Sequence, residues 1–274
     1  MSIDSQSSMR RFPRIGWAFL ARDAIEDVAY PLSFVLRQVG IIFPILLYFF
    51  VAQLVPSSSA TGDYFSATVI GLSTAALLQF AVSGFGGSLQ RAQNLGYFET
   101  LLVQPVSWTL IPFAWNFWNL VLGALTTVLM FAIGIALGGE FMLSGVFPFV
   151  GLAVLGCIAS VGVGILSASL MVLAKKSQPV LTVYGLLASL LGGALYPISV
   201  LPEWLRPLSY LVPHSYVISG SRQLLMVDPP QQDFSLSTAF LALLIFNVVV
   251  LALGIPLFRN SLQLARRMGT LSGY

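Results

Sequence analysis

The chain has 274 residues, 57% of them hydrophobic and only 8% charged, against the roughly one-quarter charged content of ordinary soluble domains. That balance excludes a soluble globular protein and describes an integral membrane protein, and a net charge of only +3 does not point to nucleic acid. The single cysteine, Cys157, excludes an intramolecular disulfide and a cysteine-based metal cage.

Residues Met1 to Met9 are serine-rich, and Arg10, Arg11 and Arg14 follow around Pro13, which suits the first turn of a helix. In that helix Trp17, Leu20, Ala21, Ala24 and Val28 recur at helical spacing, while Arg22, Asp23 and Glu26 fall opposite. This is the pattern of an amphipathic helix lying in the membrane interface, although Ile15 and Phe19 break its polar face. The charges Arg22, Asp23, Glu26 and Asp27 also interrupt the first apolar stretch, so no cleavable signal peptide is read here. Pro31 marks a bend toward the first span.

Charged residues then divide the chain into uncharged windows at Gln38 to Gly62, Tyr64 to Gln90, Thr100 to Gly139, Phe141 to Ala174, Ser177 to Pro202 and Phe234 to Phe258. A hydrocarbon core of about 30 Å needs roughly 20 helical residues, and each window can supply them. The third window is long enough for two spans. Pro105, Trp108 and Pro112 mark its first third as interfacial, so it is assigned one. The expected fold is an all-α bundle of six transmembrane helices forming one membrane domain. Residues 1–35 make the cytoplasmic tail and interfacial helix, 38–258 the bundle and 259–274 a second cytoplasmic tail.

Basic residues orient this bundle. With the amino terminus in the cytoplasm, only Arg206 and Arg222 of the thirteen lysines and arginines fall outside, with Arg37 snorkelling at the inner end of the first span. Within the spans, Gly156, Ser160, Gly164 and Ala168 form a small-residue stripe in the fourth, and Gly134 and Gly138 do the same in the third. Trp108, Trp115 and Trp118 read as headgroup anchors.

Between the second and third spans lies Gly96-Tyr-Phe-Glu-Thr-Leu-Leu-Val-Gln-Pro105, polar enough for water yet flanked by membrane-grade sequence. It reads as a short cytoplasmic helix with an apolar ridge, stopped by Pro105. The segment resembles the Gly-x-x-Glu-x-Leu-Leu-x-x-Pro pattern of type-2 permeases of ABC exporters, with Gly96, Glu99, Leu101, Leu102 and Pro105 matching. The resemblance implies a coupling helix that docks on a separate ATP-hydrolysing subunit.

Between the fifth and sixth windows, Gly192 to Tyr216 is too apolar for a free loop. It is also too broken by Pro197, Pro202, Pro207 and Pro213 for a span. Two short helices dipping into the outer leaflet are expected, their free backbone groups covered by protein. The spacing from Pro197 through Pro202 to Trp204, followed by Pro213 and Arg222, is again similar to that family, which places re-entrant helices here.

Catalytic chemistry is not visible. No phosphate-cradling Gly-x-x-x-x-Gly-Lys-Ser/Thr occurs, so this chain is not an ATPase; the resemblance puts ATP and magnesium on the partner subunit. His214 is the only histidine, no Gly-x-Ser-x-Gly is present, and no carboxylate lies inside a window. The absence of an intramembrane acid also weighs against an ion-coupled carrier, since Gln79, Asn116, Asn119 and Asn247 are the strongest polar groups there.

The expected function is therefore the permease subunit of an ATP-driven exporter in a bacterial plasma membrane. It would work as a dimer of two such chains with two ATPase subunits. The resemblance implies a substrate path between the two chains, lined by the second and fifth spans, with Gln79, Ser83, Thr182 and Tyr184 as candidate lining residues. Apolar walls suit an amphiphile: a drug-like metabolite, a lipid or a lipid-linked glycan. Drug or lipid export is preferred over polysaccharide export because the polysaccharide branch generally lacks the Gly-x-x-Glu-x-Leu-Leu segment. The alternatives are a lipid-modifying membrane enzyme or scaffold without an ATPase, and an ion-coupled carrier.

Overall fold

The computed structural model describes residues 16–17, 20–25, 27–54, 61–94, 96, 111–174, 178–227, 229 and 234–267. Among these there is no strand. Among the described residues five helices are long and apolar enough to cross a membrane: α1 (Pro31–Leu54), α2 (Thr61–Asn94), α3 (Ile111–Ala136), α4 (Val146–Ala174) and α8 (Leu236–Arg267). Between α4 and α8 lie α5 (Gln178–Leu191), the single-turn α6 (Arg206–Ser209) and α7 (Pro213–Leu225).

The fifth window differs from its expected form. Its helix α5 has 14 residues, about 21 Å of rise, well short of a hydrocarbon core of about 30 Å. Gly192 and Gly193 end it, Gly193 at φ +69°, a left-handed conformation that side-chain-bearing residues rarely adopt. The window had enough apolar residues for a span, but two glycines and Pro197 divide them.

Helix α2 is the centre of the bundle, packing against α1, α3, α4, α5 and α7. Small residues and polar side chains fix each approach. Against antiparallel α3, a Cβ on Gly84 would fall 1.6 Å from Asn116 Oδ1, and Asn116 Nδ2 donates to the Ala81 carbonyl at 2.7 Å. Against α4, a Cβ on Gly164 would fall 2.5 Å from the Val82 carbonyl oxygen. Helix α8 runs parallel to α4, and Asn247 Nδ2 donates to the Leu155 carbonyl at 3.1 Å. With no hydrophobic force between helices inside lipid, such close approaches and interhelical hydrogen bonds hold a bundle together.

The small-residue stripe of α4 is thus used within the chain: Gly156 meets Val217 of α7 and Leu78 of α2, and Ala168 lies in the core beside Phe85 and Ile165. Gly134 of α3 packs on Val69 as expected, whereas Gly138 does not pack at all. Its φ of +92° ends α3, and the Gly139 amide donates back to the Gly134 carbonyl at 2.8 Å. Trp115 also departs from its expected place. It is buried against Phe85, which in turn meets Phe258 edge-on, so its indole belongs to a core cluster of rings shared by three helices rather than anchoring in headgroups.

Helix α1 is peripheral. Its buried residues are Gln38, Ile45 and Ala52, a seven-residue spacing that gives one narrow seam, while Leu36, Phe43 and Phe50 point outward. Ahead of it, helical residues 20–25 and 27–29 carry the amphipathic pattern. Trp17 and Val28 are exposed, while Asp23 is buried and paired with Arg22. Asp27 joins three elements. One carboxylate oxygen accepts from Arg37 Nη2 of α1 at 2.9 Å, and the other from Trp118 Nε1 of α3 at 2.7 Å.

Candidate functional site

Helix α5 runs antiparallel to α2, and three glycines set how near it comes. Gly86 faces Leu181, Gly185 faces Gln79, and Gly71 faces the Ala194 carbonyl just beyond the end of α5. Between these points the two helices border a groove of about 470 Å³. From α2 it takes Leu72, Ala75, Ala76 and Gln79, where the alanines leave the space that larger side chains would fill. From α5 it takes Leu181, Thr182, Gly185, Leu186 and Ser189. Ile41 of α1, Met130 of α3 and His214 at the start of α7 complete it.

Of the four residues expected along the path, Gln79 and Thr182 line this groove. Tyr184 stands behind it. Its hydroxyl lies 3.4 Å from His214 Nδ1, and its ring meets the imidazole edge-on with centroids 5.8 Å apart. Ser83 is not among the lining residues; its hydroxyl donates to the Gln79 carbonyl at 2.8 Å and is satisfied within α2. Sequence reasoning left out Ser189 and His214. A histidine beside a proline in an apolar stretch was the only available signal for the latter, and it gives depth along the chain without lateral position.

His214 is 1% exposed, and among the described residues its Nε2 has no hydrogen-bond partner. Burial pushes its pKa down to about 4, because desolvation penalises the imidazolium. The ring is therefore neutral at physiological pH.

Farther along α7 lies Arg222. This residue, expected on the outer side of the membrane, is buried in α7, where its guanidinium donates to the carbonyls of Ala67, Ala194 and Tyr196. The break after α5 leaves the Ala194 and Tyr196 carbonyls outside any helix, and the guanidinium satisfies them while also reaching the Ala67 carbonyl of α2. The segment expected to be re-entrant accordingly has two characters. Pro197 precedes a short 3-10 turn at Ile198–Val200, and Pro202 and Trp204 are exposed, Trp204 by 74%. Pro213, by contrast, opens α7 and is buried with most of that helix.

At the opposite end of α2, Gly96 adopts φ +73° and its amide donates to the Gln93 carbonyl at 3.1 Å, turning the chain sharply. Glu99, Leu101, Leu102 and Pro105, expected in the coupling segment, lie outside the described residues, as does Trp108. Among the described residues no cluster of histidine, cysteine or carboxylate side chains is suited to a metal ion.

No curated protein matches the chain. The family model for ABC-2 type transporters matches residues 17–226, from the amphipathic helix through the end of α7. The match takes in α1 to α7 and every residue of the groove, and the chain belongs to the ABC-2 type transporter family.

Proposed function

We propose that this chain is the permease subunit of an ATP-driven exporter of amphiphilic molecules and that the groove between α2 and α5 is its substrate path. The observation that carries this reading is the groove itself: in a membrane chain of a transporter family, it joins apolar walls to a few convergent polar groups, the usual make-up of a small-molecule site. The fifth of six crossings is assigned to α5 together with the loop between it and α6, with both termini in the cytoplasm and the chain in a bacterial plasma membrane. Two copies assemble with two ATPase subunits, which bind ATP and magnesium. The exposed faces of α1 and α5 flank the groove and suit the contact between copies.

The segment Gly96 to Pro105 is proposed as the docking helix for the ATPase subunit. Co-purification from the native host tests this. The chain should bring down an ATPase subunit, and Glu99→Ala or Leu101→Ala should reduce the yield of that complex without changing the amount of permease. Failure to recover any ATPase, with the same result for both variants, would overturn the assignment.

A further inference from the structure

The chemistry of the groove narrows what it can hold, an inference that rests on its being the substrate path. Its described lining includes four hydrogen-bonding side chains, Gln79, Thr182, Ser189 and His214, and no charged one. Gln79 lies across Gly185, where a Cβ would fall 3.1 Å from its Oε1, so its amide is held at the α2–α5 boundary. His214 is buried, with Nε2 unpartnered among the described residues. Its Nδ1 faces the Tyr184 hydroxyl, and if that hydroxyl donates, the ring proton sits on Nε2. The nearby guanidinium of Arg222 is engaged by the carbonyls of Ala67, Ala194 and Tyr196, and Arg37 is paired with Asp27.

An ionic head entering this groove would give up water and meet no counter-charge in the lining. Burying a charge unpaired is far more costly than burying a hydrogen-bonded neutral group. An uncharged head would exchange water for an amide, two hydroxyls and a neutral imidazole, while its tail would lie on Leu72, Leu181 and Leu186. We propose that the groove selects uncharged amphiphiles, with heads built from hydroxyl, ether or amide groups, over those bearing an ammonium, carboxylate or phosphate at the same depth.

Photolabelling of the purified full-length chain in phosphatidylcholine nanodiscs at pH 7.5 tests this. The probes share a diazirine-bearing dodecyl chain and differ only in the head: glucoside, trimethylammonium or carboxylate. The glucoside probe should label the peptides carrying Gln79 and Thr182 at least about tenfold more than either charged probe. Gln79→Glu, and independently Ser189→Asp at an exposed position, should raise trimethylammonium labelling to at least that of the glucoside. Equal labelling by all three heads, or an unchanged order in both variants, would overturn the proposal. So would labelling confined to lipid-facing peptides outside the groove. ATPase co-purification is scored separately, so its failure would count against the permease assignment while leaving this head-group preference readable.

Discussion

Replacing Gly71 by alanine tests the packing that forms the groove. The new Cβ would fall 1.9 Å from the Ala194 carbonyl oxygen and 2.9 Å from Arg222 Nη2. Restoring ordinary contact would require the loop to retreat by roughly 1.5 Å, enough to break the 2.8 Å hydrogen bond between that guanidinium and that carbonyl. Overpacking costs about 1–3 kcal/mol, and a lost hydrogen bond to a buried charged group costs about 1.5–3 kcal/mol. Because one displacement causes both, they overlap, and a loss of about 2–5 kcal/mol is expected. The assay is equilibrium unfolding of the purified chain in mixed micelles, with Gly151→Ala as the comparison. A Cβ at Gly151, in the second turn of α4, meets nothing within 4 Å, so that variant should stay near the parent or gain up to about 1 kcal/mol from helix propensity. Equal stability of the two variants would refute the close approach of α2 to the Ala194 carbonyl.

Three further outcomes are expected. Asn247→Leu should lower stability by about 0.6–2 kcal/mol in the same assay, because the Leu155 carbonyl loses its donor inside the bundle; no change would remove that hydrogen bond from the account. Asp27→Asn keeps an acceptor for Trp118 but loses the ion pair with a half-exposed Arg37, worth at most about 1 kcal/mol. Asp27→Ala should cost more and should alter Trp118 fluorescence, and identical effects of the two would argue against the indole hydrogen bond. Finally, with the His214 pKa pushed down to about 4, the ring stays neutral as pH falls from 7.5 to 5.5, and protonation would begin to matter only on approaching pH 4. Glucoside labelling of the groove should therefore show no inflection near pH 6.5 that His214→Gln abolishes.

The membrane class and the five long helices were legible in the sequence because charge is so costly inside a bilayer that its absence marks out the spans. Lateral placement was not. Trp115 and Trp118 are three residues apart near one end of α3, yet one is core packing and the other hydrogen-bonds Asp27. Composition gives both the same reading. Gly134 and Gly138 likewise share a spacing but not a role, since one lies beneath Val69 and the other reverses the chain. For the groove, the second and fifth windows identified Gln79 and Thr182, while His214 entered only through the fold, which returns the chain to α5 after the one-turn helix α6. The charge count gave Arg222 a side of the membrane but no burial; three backbone carbonyls hold its guanidinium within the fold.

The narrow seam of α1 has a mechanical consequence. To displace α2, backbone-to-backbone approaches must open on several sides at once, and the buried amide of Asn116 loses its acceptor. To tilt α1, the contacts to open are those of Gln38, Ile45 and Ala52, the flanking Ile42 and Phe49, and the Asp27 carboxylate with its partners. Compliance in this domain is therefore concentrated at its rim, on the helix that borders the groove through Ile41, while the middle of the bundle behaves as a stiff frame.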